Sequence, residues 1–253
     1  MDRRDEILAG IKVDELVGLE IGPLDKALVE RRPGRRIFYA DYAPRAELRA
    51  KSADDPGVNI EAIPEIDFVC RDLGDYRGIE LRFDYVIASH VVEHAPDVLG
   101  WFNMVLGLLR RDGVLVLAIP DRRYTFDYFR PESTLGDVLE AYFELRKIPS
   151  FRQVFDGNGM ARRVDTAQAW KSAPDLNAER YFDVATVLWM AKNSLFECTH
   201  YDCHCWVFTY ESFLKIIEEL DELLLLPVDV VLATPPRPFL NEFYVRLSPR
   251  RTD

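Results

Sequence analysis

The sequence predicts an α/β protein with a doubly wound, mostly parallel sheet of seven strands. Short apolar runs recur along the chain with helical segments between them, which is typical of parallel strands joined by crossovers. The last two runs follow each other without a helix, so we expect an antiparallel C-terminal hairpin at one sheet edge. Residues 121–200 carry few strand signals and are predicted to form a helical insert after the fifth strand.

Five predicted strands precede the insert. In chain order they are ELVGLEIG, which stops at Gly22-Pro23, RRIFYADY, which ends on Asp41, the weaker EIDFVCRDL, FDYVIASH, and GVLVLAIPD, which ends at Pro120-Asp121. A clear helix lies between the last two. Asp97 can cap its start, and apolar residues recur at three- and four-residue steps from Val98 to Leu109. Gly113 is expected to supply its left-handed stop.

The second half of the chain predicts mainly helices before the sheet resumes. TLGDVLEAYFELRK, ERYFDVATVLWMAKNSL and TYESFLKIIEELDELL have helical patterns, and PVDVVLA and EFYVRLS are the two closing strands. We expect one domain over residues 1–253. Within it, the insert at 121–200 is predicted to act as a lid that sets specificity and excludes water.

Composition narrows the class of function. The net charge of −11, from 43 acidic and 32 basic residues, argues against binding to a nucleic-acid backbone. No apolar run approaches the roughly 18 residues that span a bilayer, so no membrane insertion is expected. MDRRDEILAG does not resemble a signal peptide, and four cysteines do not form a disulfide framework; a cytoplasmic protein is predicted. A homodimer through the insert or the sheet edge stays open.

The first strand leads into an unusual glycine turn, GLEIGPLDKALVE. Gly22 allows one close backbone approach and Pro23 stiffens the turn, but the carboxylate of Glu20 would repel a pyrophosphate. Asp41 follows about 20 residues later at a strand end, where an acid accepts hydrogen bonds from ribose hydroxyls. The pattern favours an adenosine ligand without phosphate. A nicotinamide dehydrogenase is disfavoured by Glu20 and by the absence of G-x-G-x-x-G.

The fourth strand ends in SHVVEH, which places Ser89, His90, Glu93 and His94 where ligands gather in such sheets. A histidine is the natural general base at neutral pH, and His90 is our first choice for that role. Alternatively, both histidines only anchor the loop by hydrogen bonds.

The segment CTHYDCHCWVF could suggest a zinc site through Cys198, His200, Cys203, His204 and Cys205. It lacks the paired C-x-x-C spacing of structural zinc sites, so no metal is predicted. Strand alternation would send the cysteines at 203 and 205 to one face and His204 to the other. His204 is therefore an alternative base or substrate contact.

The segment IPDRRYTFDYFRP follows the fifth strand and suits substrate contact. Asp121, at the strand end, is a further catalytic candidate. Arg122, Arg123, Tyr124 and Asp127 are candidate substrate-binding residues, because arginines with aromatic residues bind carboxylates, phosphates or a sugar face. The alternative is a loop held together by salt bridges.

These segments together resemble class I S-adenosylmethionine-dependent methyltransferases, which have a Rossmann-like fold, over roughly residues 15–248. The resemblance rests on LEIGPLDKALV, FYADY, FDYVIASHVVEHAPD, LLRRDGVLVLAIPDRRYTFDYFRP and DCHCWVFTYESF. More narrowly, the chain is similar to stand-alone bacterial methyltransferase-domain proteins linked to surface polysaccharide or sugar modification. The resemblance implies S-adenosylmethionine as the cofactor.

The resemblance also implies a set of cofactor-binding residues. Glu20 and Gly22 match the acid and first glycine of the family pattern, while Leu24 and Lys26 stand where two further glycines are usual. Asp72 with Leu73 resembles the position that meets the adenine amino group. The full cofactor-binding set comprises Glu20, Gly22, Pro23, Leu24, Asp41, Asp72, Leu73, Ser89, His90 and His94.

The function that this resemblance implies is methylation of a small molecule or of a sugar or glycan hydroxyl. The acceptor atom itself is left open between oxygen, nitrogen and carbon. Because two glycines are missing from the turn, the alternative is a catalytically inactive binding or scaffold protein of the same fold.

Overall fold

The structure is a computed structural model that describes residues 2–71 and 75–250. Within these residues the chain is built around one mixed β-sheet. Across these residues its strands are β1 (Val17–Ile21), β2 (Arg36–Asp41), β3 (Phe68–Val69), β4 (Phe83–Ser89), β5 (Leu109–Pro120), β6 (Val228–Thr234) and β7 (Glu242–Pro249). Their spatial order is β3-β2-β1-β4-β5-β7-β6. The first five pair in parallel, and β7 runs antiparallel to both β5 and β6. The predicted mostly parallel seven-stranded sheet with an antiparallel C-terminal pair is confirmed.

The centre of the sheet is β1, whose five residues are all buried. Ile21, its last residue, pairs with Ala40 of β2 and Ala88 of β4. Because the three strands are parallel and in this register, their carboxyl ends meet at one edge. The residues just beyond them are therefore brought together there.

Eight α-helices lie in the described parts of the chain and cover the sheet or form the insert. They are α1 (Arg3–Ile7), α2 (Arg45–Lys51), α3 (Val98–Leu106), α4 (Leu135–Phe143), α5 (Phe151–Gly159), α6 (Thr166–Ala169), α7 (Val184–Glu197) and α8 (Tyr210–Glu222). The predicted helices around α4, α7 and α8 are present. Asp97 caps α3 by accepting the Gly100 N–H at 2.8 Å, as its position in the sequence predicts.

The end of α3 differs from the prediction. The helix stops at Leu106, and Leu109 already belongs to β5, where it pairs with Phe83. Gly113 is not at positive φ; it lies within β5, and a Cβ there would sit 3.0 Å from the Phe83 carbonyl oxygen. The apolar spacing continued past the helix because strand residues at its end are buried as well.

Apolar side chains pack on both faces of the sheet. One cluster includes Trp101, Phe102 and Phe213 from α3 and α8. The second joins Ile7 of α1 to Tyr39 and Tyr85 on the opposite face. Across the described residues, none of the helices has the length and apolar character needed to cross a membrane.

Candidate active site

The turn after β1 keeps a glycine-type backbone although it contains one glycine. Gly22 has φ +65° and Leu24 has φ +41°. A Cβ at Gly22 would lie 2.9 Å from Val91 Cγ2, so the position excludes a larger residue. Leu24 takes up the left-handed conformation at a cost of roughly 1 kcal/mol, and its side chain packs against the cluster around Leu48. The turn shape thus survives the loss of the second glycine, and Lys26 points to solvent.

Glu20 is buried and both of its carboxylate oxygens are used by the main chain. Leu28 N–H donates to Oε1 at 2.7 Å and Val29 N–H donates to Oε2 at 3.1 Å. Burial raises the pKa of this carboxyl group to about 7, against the opposing effect of the two backbone hydrogen bonds. Glu20 therefore holds the segment after the turn in place, instead of offering a free carboxylate to a ligand as the sequence had suggested.

Asp41 ends β2 with a carboxylate that is only partly used. Its side chain is 8% exposed, and Oδ1 accepts the Tyr42 N–H at 2.7 Å. Oδ2 has no hydrogen-bond partner in the part of the chain that the structure describes. Burial raises the pKa of Asp41 to about 6, against the effects of the Tyr42 N–H and of the Lys51 charge. Asp72 and Leu73, also predicted to meet the cofactor, lie outside the described residues.

These residues fit an adenosine ligand without phosphate. Gly22, Asp41 and Ser89 follow or end β1, β2 and β4 at the same edge. Residues 22–35 form turns, so the glycine does not open a helix whose N-terminus could bind a phosphate. Ser89 Oγ is held by Arg3, whose Nη2 donates to it at 2.8 Å.

Three histidines surround the side chain of Glu93, which lies in a 3₁₀ turn (Val92–His94) after β4. Glu93 Oε1 is 3.6 Å from His90 Nδ1, 4.0 Å from His94 Nε2 and 3.9 Å from His204 Nε2. The Glu93 side chain is 0% exposed. Among the described residues, neither of its carboxylate oxygens has a hydrogen-bond partner.

Each histidine is held from the opposite side by another carboxylate. The contacts are His90 Nε2 to Glu242 at 2.8 Å, His94 Nδ1 to Asp202 at 2.8 Å, and His204 Nδ1 to Asp127 at 2.5 Å. A carboxylate that accepts one ring N–H fixes the tautomer and leaves the second nitrogen directed inward. Three such nitrogens therefore face Glu93.

Neighbouring carboxylates raise the pKa of two of these histidines. Burial lowers the pKa of His94, but the Asp202 hydrogen bond and the Glu93 charge outweigh it and raise the pKa to about 9. The pKa of His90 is also raised, since Glu242 and Glu93 outweigh burial. His90 has φ +54°, a conformation that is uncommon for a non-glycine residue and is concentrated at functional sites.

Comparison with known families agrees with the geometry at the sheet edge. Residues 17–117 match the sequence model of a family described as a methyltransferase domain. The matched stretch contains the glycine turn, Asp41 and the loop that carries His90 and Glu93. Over residues 17–117 the chain is therefore similar to a methyltransferase domain. The cofactor is S-adenosylmethionine, which has an adenosine and lacks a phosphate, as the site requires.

Comparison with solved structures concerns the fold alone. A Rhodobacter sphaeroides protein described as a Zn-dependent alcohol dehydrogenase has a TM-score of 0.53 at 18% identity, covering 99% of this chain and 91% of that one. A Clostridium acetobutylicum S-adenosylmethionine-dependent methyltransferase has a TM-score of 0.48 at 10% identity, covering 98% and 91%. At 18% identity the first similarity shows the fold alone, and the second is too weak to support an argument. A search of curated protein sequences found no match.

A cavity of about 360 Å³ opens beside the histidines. His94 and His204 form one side, and the rings of Phe126, Tyr181 and Phe182 contribute from the region after β5 and before α7. The Phe126 ring centroid lies 4.5 Å from that of His204. An apolar, aromatic wall opposite polar groups is typical of a small-molecule site.

Most of the predicted substrate-binding residues are engaged within their own loop. The Arg122 guanidinium donates to the Tyr128 carbonyl, and Arg123 pairs with Asp121 at 2.7 Å and with Glu211 at 3.0 Å. The Tyr124 ring stacks on Trp170 with centroids 4.0 Å apart. The alternative of a loop held by salt bridges therefore describes these three residues better.

Asp127 is the member of that set that the structure brings to the cavity. Its Oδ2 contacts His204, and its Oδ1 accepts from Arg130 Nη1 at 2.6 Å. Burial raises the pKa of Asp127, but the contacts with His204 and Arg130 outweigh it, so the pKa is lowered. It is a group that orients His204, because its side chain is itself buried and lies behind the imidazole.

Asp121 does not suit the predicted catalytic role. It is fully buried; Oδ1 accepts the Arg123 N–H at 3.1 Å, and Oδ2 accepts the Tyr210 N–H at 3.1 Å and pairs with the Arg123 guanidinium. With both oxygens used in this way, the side chain fixes the turn after β5 to the start of α8.

The cysteines near His204 belong to the apolar core. Cys203 and Cys205 are buried, with their thiols near the carbonyl oxygens of Gln153 and His94 at 3.7 and 3.5 Å. His204, between them, lines the cavity. This is the division that strand alternation predicts, although the segment is irregular and not a regular strand.

Several residues of the site were not identified from the sequence. Glu93 was placed near the pocket, but its central position was missed, although two histidines flank it closely. Asp202 lies two residues before His204 and could have been proposed as a partner. Arg3 and Glu242 form an ion pair at 2.6 Å although they are 239 positions apart in the sequence, so no local sequence pattern predicts the contact.

Proposed function

We propose that this methyltransferase methylates a hydroxyl group of a small molecule or a sugar. The observation that carries the proposal is the cluster of carboxylate-held histidines. His90 directly follows Ser89 at the cofactor edge (the strand ends with Gly22, Asp41 and Ser89), and His94 and His204 line the aromatic cavity. A hydroxyl acceptor must lose a proton as its oxygen is methylated, and positioned imidazoles are suited to take it. A sugar acceptor would also agree with the narrower resemblance to bacterial proteins of polysaccharide pathways.

Different residues of the chain are proposed to bind the cofactor and to accept the proton. Gly22 allows the main chain to approach the cofactor, and Asp41 offers Oδ2 to its ribose hydroxyls. When bound, S-adenosylmethionine would supply the methyl group to the acceptor oxygen and would leave as a neutral thioether. The groups need to be held in line for this displacement.

His90 is proposed as the base that receives the acceptor proton. Glu242 holds its Nε2, so Nδ1 is the nitrogen available, and the side chain remains 35% exposed. The proton would pass from the hydroxyl oxygen to Nδ1, and the imidazolium would be stabilised by the carboxylates of Glu93 and Glu242. His204, held by Asp127, is the alternative base from the sequence.

Specificity is assigned to the insert at 121–200, within a single domain. Phe126 and Tyr181 belong to this insert and face the histidines across the cavity. Apolar ring faces pack against sugar carbons or a small aromatic acceptor and would exclude water from the reacting atoms. The size of the cavity suits an acceptor of small-molecule dimensions.

Methyl transfer from labelled S-adenosylmethionine to a panel of sugars and small hydroxylated compounds tests the proposal. Transfer to an oxygen of at least one acceptor, found by mass and fragmentation, is expected. Binding of S-adenosylhomocysteine without transfer to any hydroxyl, nitrogen or carbon acceptor would instead favour the inactive binding protein. Transfer to nitrogen or carbon alone would overturn the hydroxyl assignment while leaving the methyltransferase intact.

A further inference from the structure

We infer that Glu93, His94 and His204 form a binding site for one divalent transition-metal ion. One carboxylate oxygen and one nitrogen from each imidazole lie within 4.8 Å of one another. Two imidazoles and a carboxylate are the donor set of many zinc and iron centres. This set shares His204 with the zinc site rejected on sequence spacing, but it uses none of the cysteines of CTHYDCHCWVF.

The state of Glu93 is the strongest indication that a cation belongs there. Its side chain is completely buried, and within the described residues neither oxygen receives a hydrogen bond. A buried carboxylate without such partners is costly, and native proteins normally pair it or use it to coordinate a metal. By contrast, Glu20, which is also buried, has both oxygens satisfied by main-chain N–H groups.

The contacts behind the two imidazoles have the form found around metal ligands. His94 Nδ1 contacts Asp202, and His204 Nδ1 contacts Asp127, which is held in turn by Arg130. Ligating histidines usually donate their second N–H to a carboxylate, which directs the free nitrogen at the ion and increases its basicity. Both Nε2 atoms here are the ones directed toward Glu93.

The spacing requires only a small contraction. The two Nε2 atoms lie 4.0 and 3.9 Å from Glu93 Oε1. Ligands bound at about 2.0–2.2 Å from an ion stand roughly 3.0–3.5 Å apart, so side-chain shifts of less than about 1 Å would complete the site. His90 contacts the same carboxylate but lies outside this group of three.

The remaining coordination positions would face the cavity, because His94 and His204 both line it. A bound ion there could hold the hydroxyl of an acceptor and lower its pKa, which would ease the proton transfer to His90. This consequence rests on the proposed function. The metal site itself does not, since it follows from the three side chains and their partners.

Titration of metal-stripped protein with Co²⁺, followed by visible absorption and by displacement with Zn²⁺, tests the inference without any activity assay. One Co²⁺ per chain is expected, with absorption typical of nitrogen and oxygen ligands. Glu93→Gln and His204→Gln should each weaken binding by about 100-fold or more, and Asp127→Asn by about 10- to 100-fold. His200→Gln is the matched control; this exposed histidine of the same segment lies outside the group, and its loss should leave the affinity unchanged.

Absence of saturable binding in the wild type, or equal affinity in Glu93→Gln and His204→Gln, would overturn the metal site. Thermal unfolding and S-adenosylhomocysteine binding are measured on the same samples. If one variant fails to fold, the other and Asp127→Asn decide the question. Cofactor binding without Co²⁺ binding would remove this inference alone, whereas Co²⁺ binding without cofactor binding would remove the proposed function alone.

Discussion

The buried carboxylates in the two halves of the active-site region differ in their hydrogen bonding. At the ends of β1 and β2, the carboxylates are tied to the main chain: Glu20 accepts from Leu28 and Val29, and Asp41 accepts from Tyr42. In the loop after β4, Glu93 is more deeply buried and receives no hydrogen bond from the described residues. In the first region each carboxylate already accepts a main-chain hydrogen bond. In the second, Glu93 would need a further group, such as a bound cation, as its partner.

The difference also explains why a depleted glycine turn suffices. A pyrophosphate needs a helix N-terminus and several close main-chain approaches. Here residues 22–35 form turns, and one glycine with a left-handed Leu24 reproduces the backbone shape. The side chains proposed for the chemistry belong instead to the loop after β4 and to the insert.

The largest effect is expected at His90. His90→Gln removes the proposed base while keeping a polar side chain, so kcat should fall by about 10²- to 10⁴-fold. The dissociation constant of S-adenosylhomocysteine should stay within about twofold. Steady-state kinetics and calorimetry separate the two, with His200→Gln as a control. Full turnover in His90→Gln would transfer the role of base to His204.

The second prediction concerns the pH dependence of stability through Glu20. Its folded-state pKa of about 7 lies above the ordinary value of 4.5, so its favourable contribution to folding is complete below pH 4.5 and is lost as the pH rises through 7. The loss amounts to roughly 3 kcal/mol. Denaturant unfolding at pH 5 and pH 8 should therefore show a larger decrease for the wild type than for Glu20→Gln. The exposed Glu15→Gln controls for the removal of one charge.

The third prediction distinguishes steric fit from backbone strain in the turn. Gly22→Ala should cost about 2 kcal/mol or more, because the new Cβ is strained at positive φ and also meets Val91. Gly34→Ala has the same backbone strain, with φ +84° and no atom within 4 Å of its Cβ position. It should cost only about 1 kcal/mol. Thermal unfolding and S-adenosylhomocysteine affinity of the pair would be compared, and equal losses would remove the special status of Gly22.

The smallest predicted effect is on the affinity of the cofactor edge for its ligand. Because the ionised form of Asp41 is the better acceptor and its pKa is about 6, affinity should be constant above that pH and decline as the pH falls through 6. Asp41→Asn should weaken S-adenosylhomocysteine binding by about tenfold at pH 8 and abolish the pH dependence. Calorimetry between pH 5 and pH 8 would check both. An unchanged profile in the variant would assign the titration to another group.

Much of the fold was predictable because hydrophobic patterning and strand ends are local signals. FDYVIASH and GVLVLAIPD mark β4 and β5, Asp97 marks the start of α3, and the missing helix before the last strand marks the antiparallel pair. The end of α3 was less predictable, since Leu109 is apolar and buried whether it continues a helix or begins a strand. Tertiary pairing with Phe83 decides between the two.

The cofactor edge was also largely predictable, because Gly22 and Asp41 lie at strand ends that the pattern identifies. The use of Glu20 by the main chain was not, since it depends on how the segment at Leu28 folds back. The histidine cluster needed the fold itself. Glu93 and His204 are more than a hundred residues apart, and Asp127 approaches them from the insert.

Calorimetric titration shows directly whether the sheet edge binds a phosphate-free adenosine cofactor. Purified protein would be titrated with S-adenosylmethionine, S-adenosylhomocysteine and, as the control, NAD. We expect saturable binding of both methyl-cycle ligands at one site per chain, no comparable binding of NAD, and weaker binding in Asp41→Asn. No binding of either methyl-cycle ligand, or preferential binding of NAD, would contradict it.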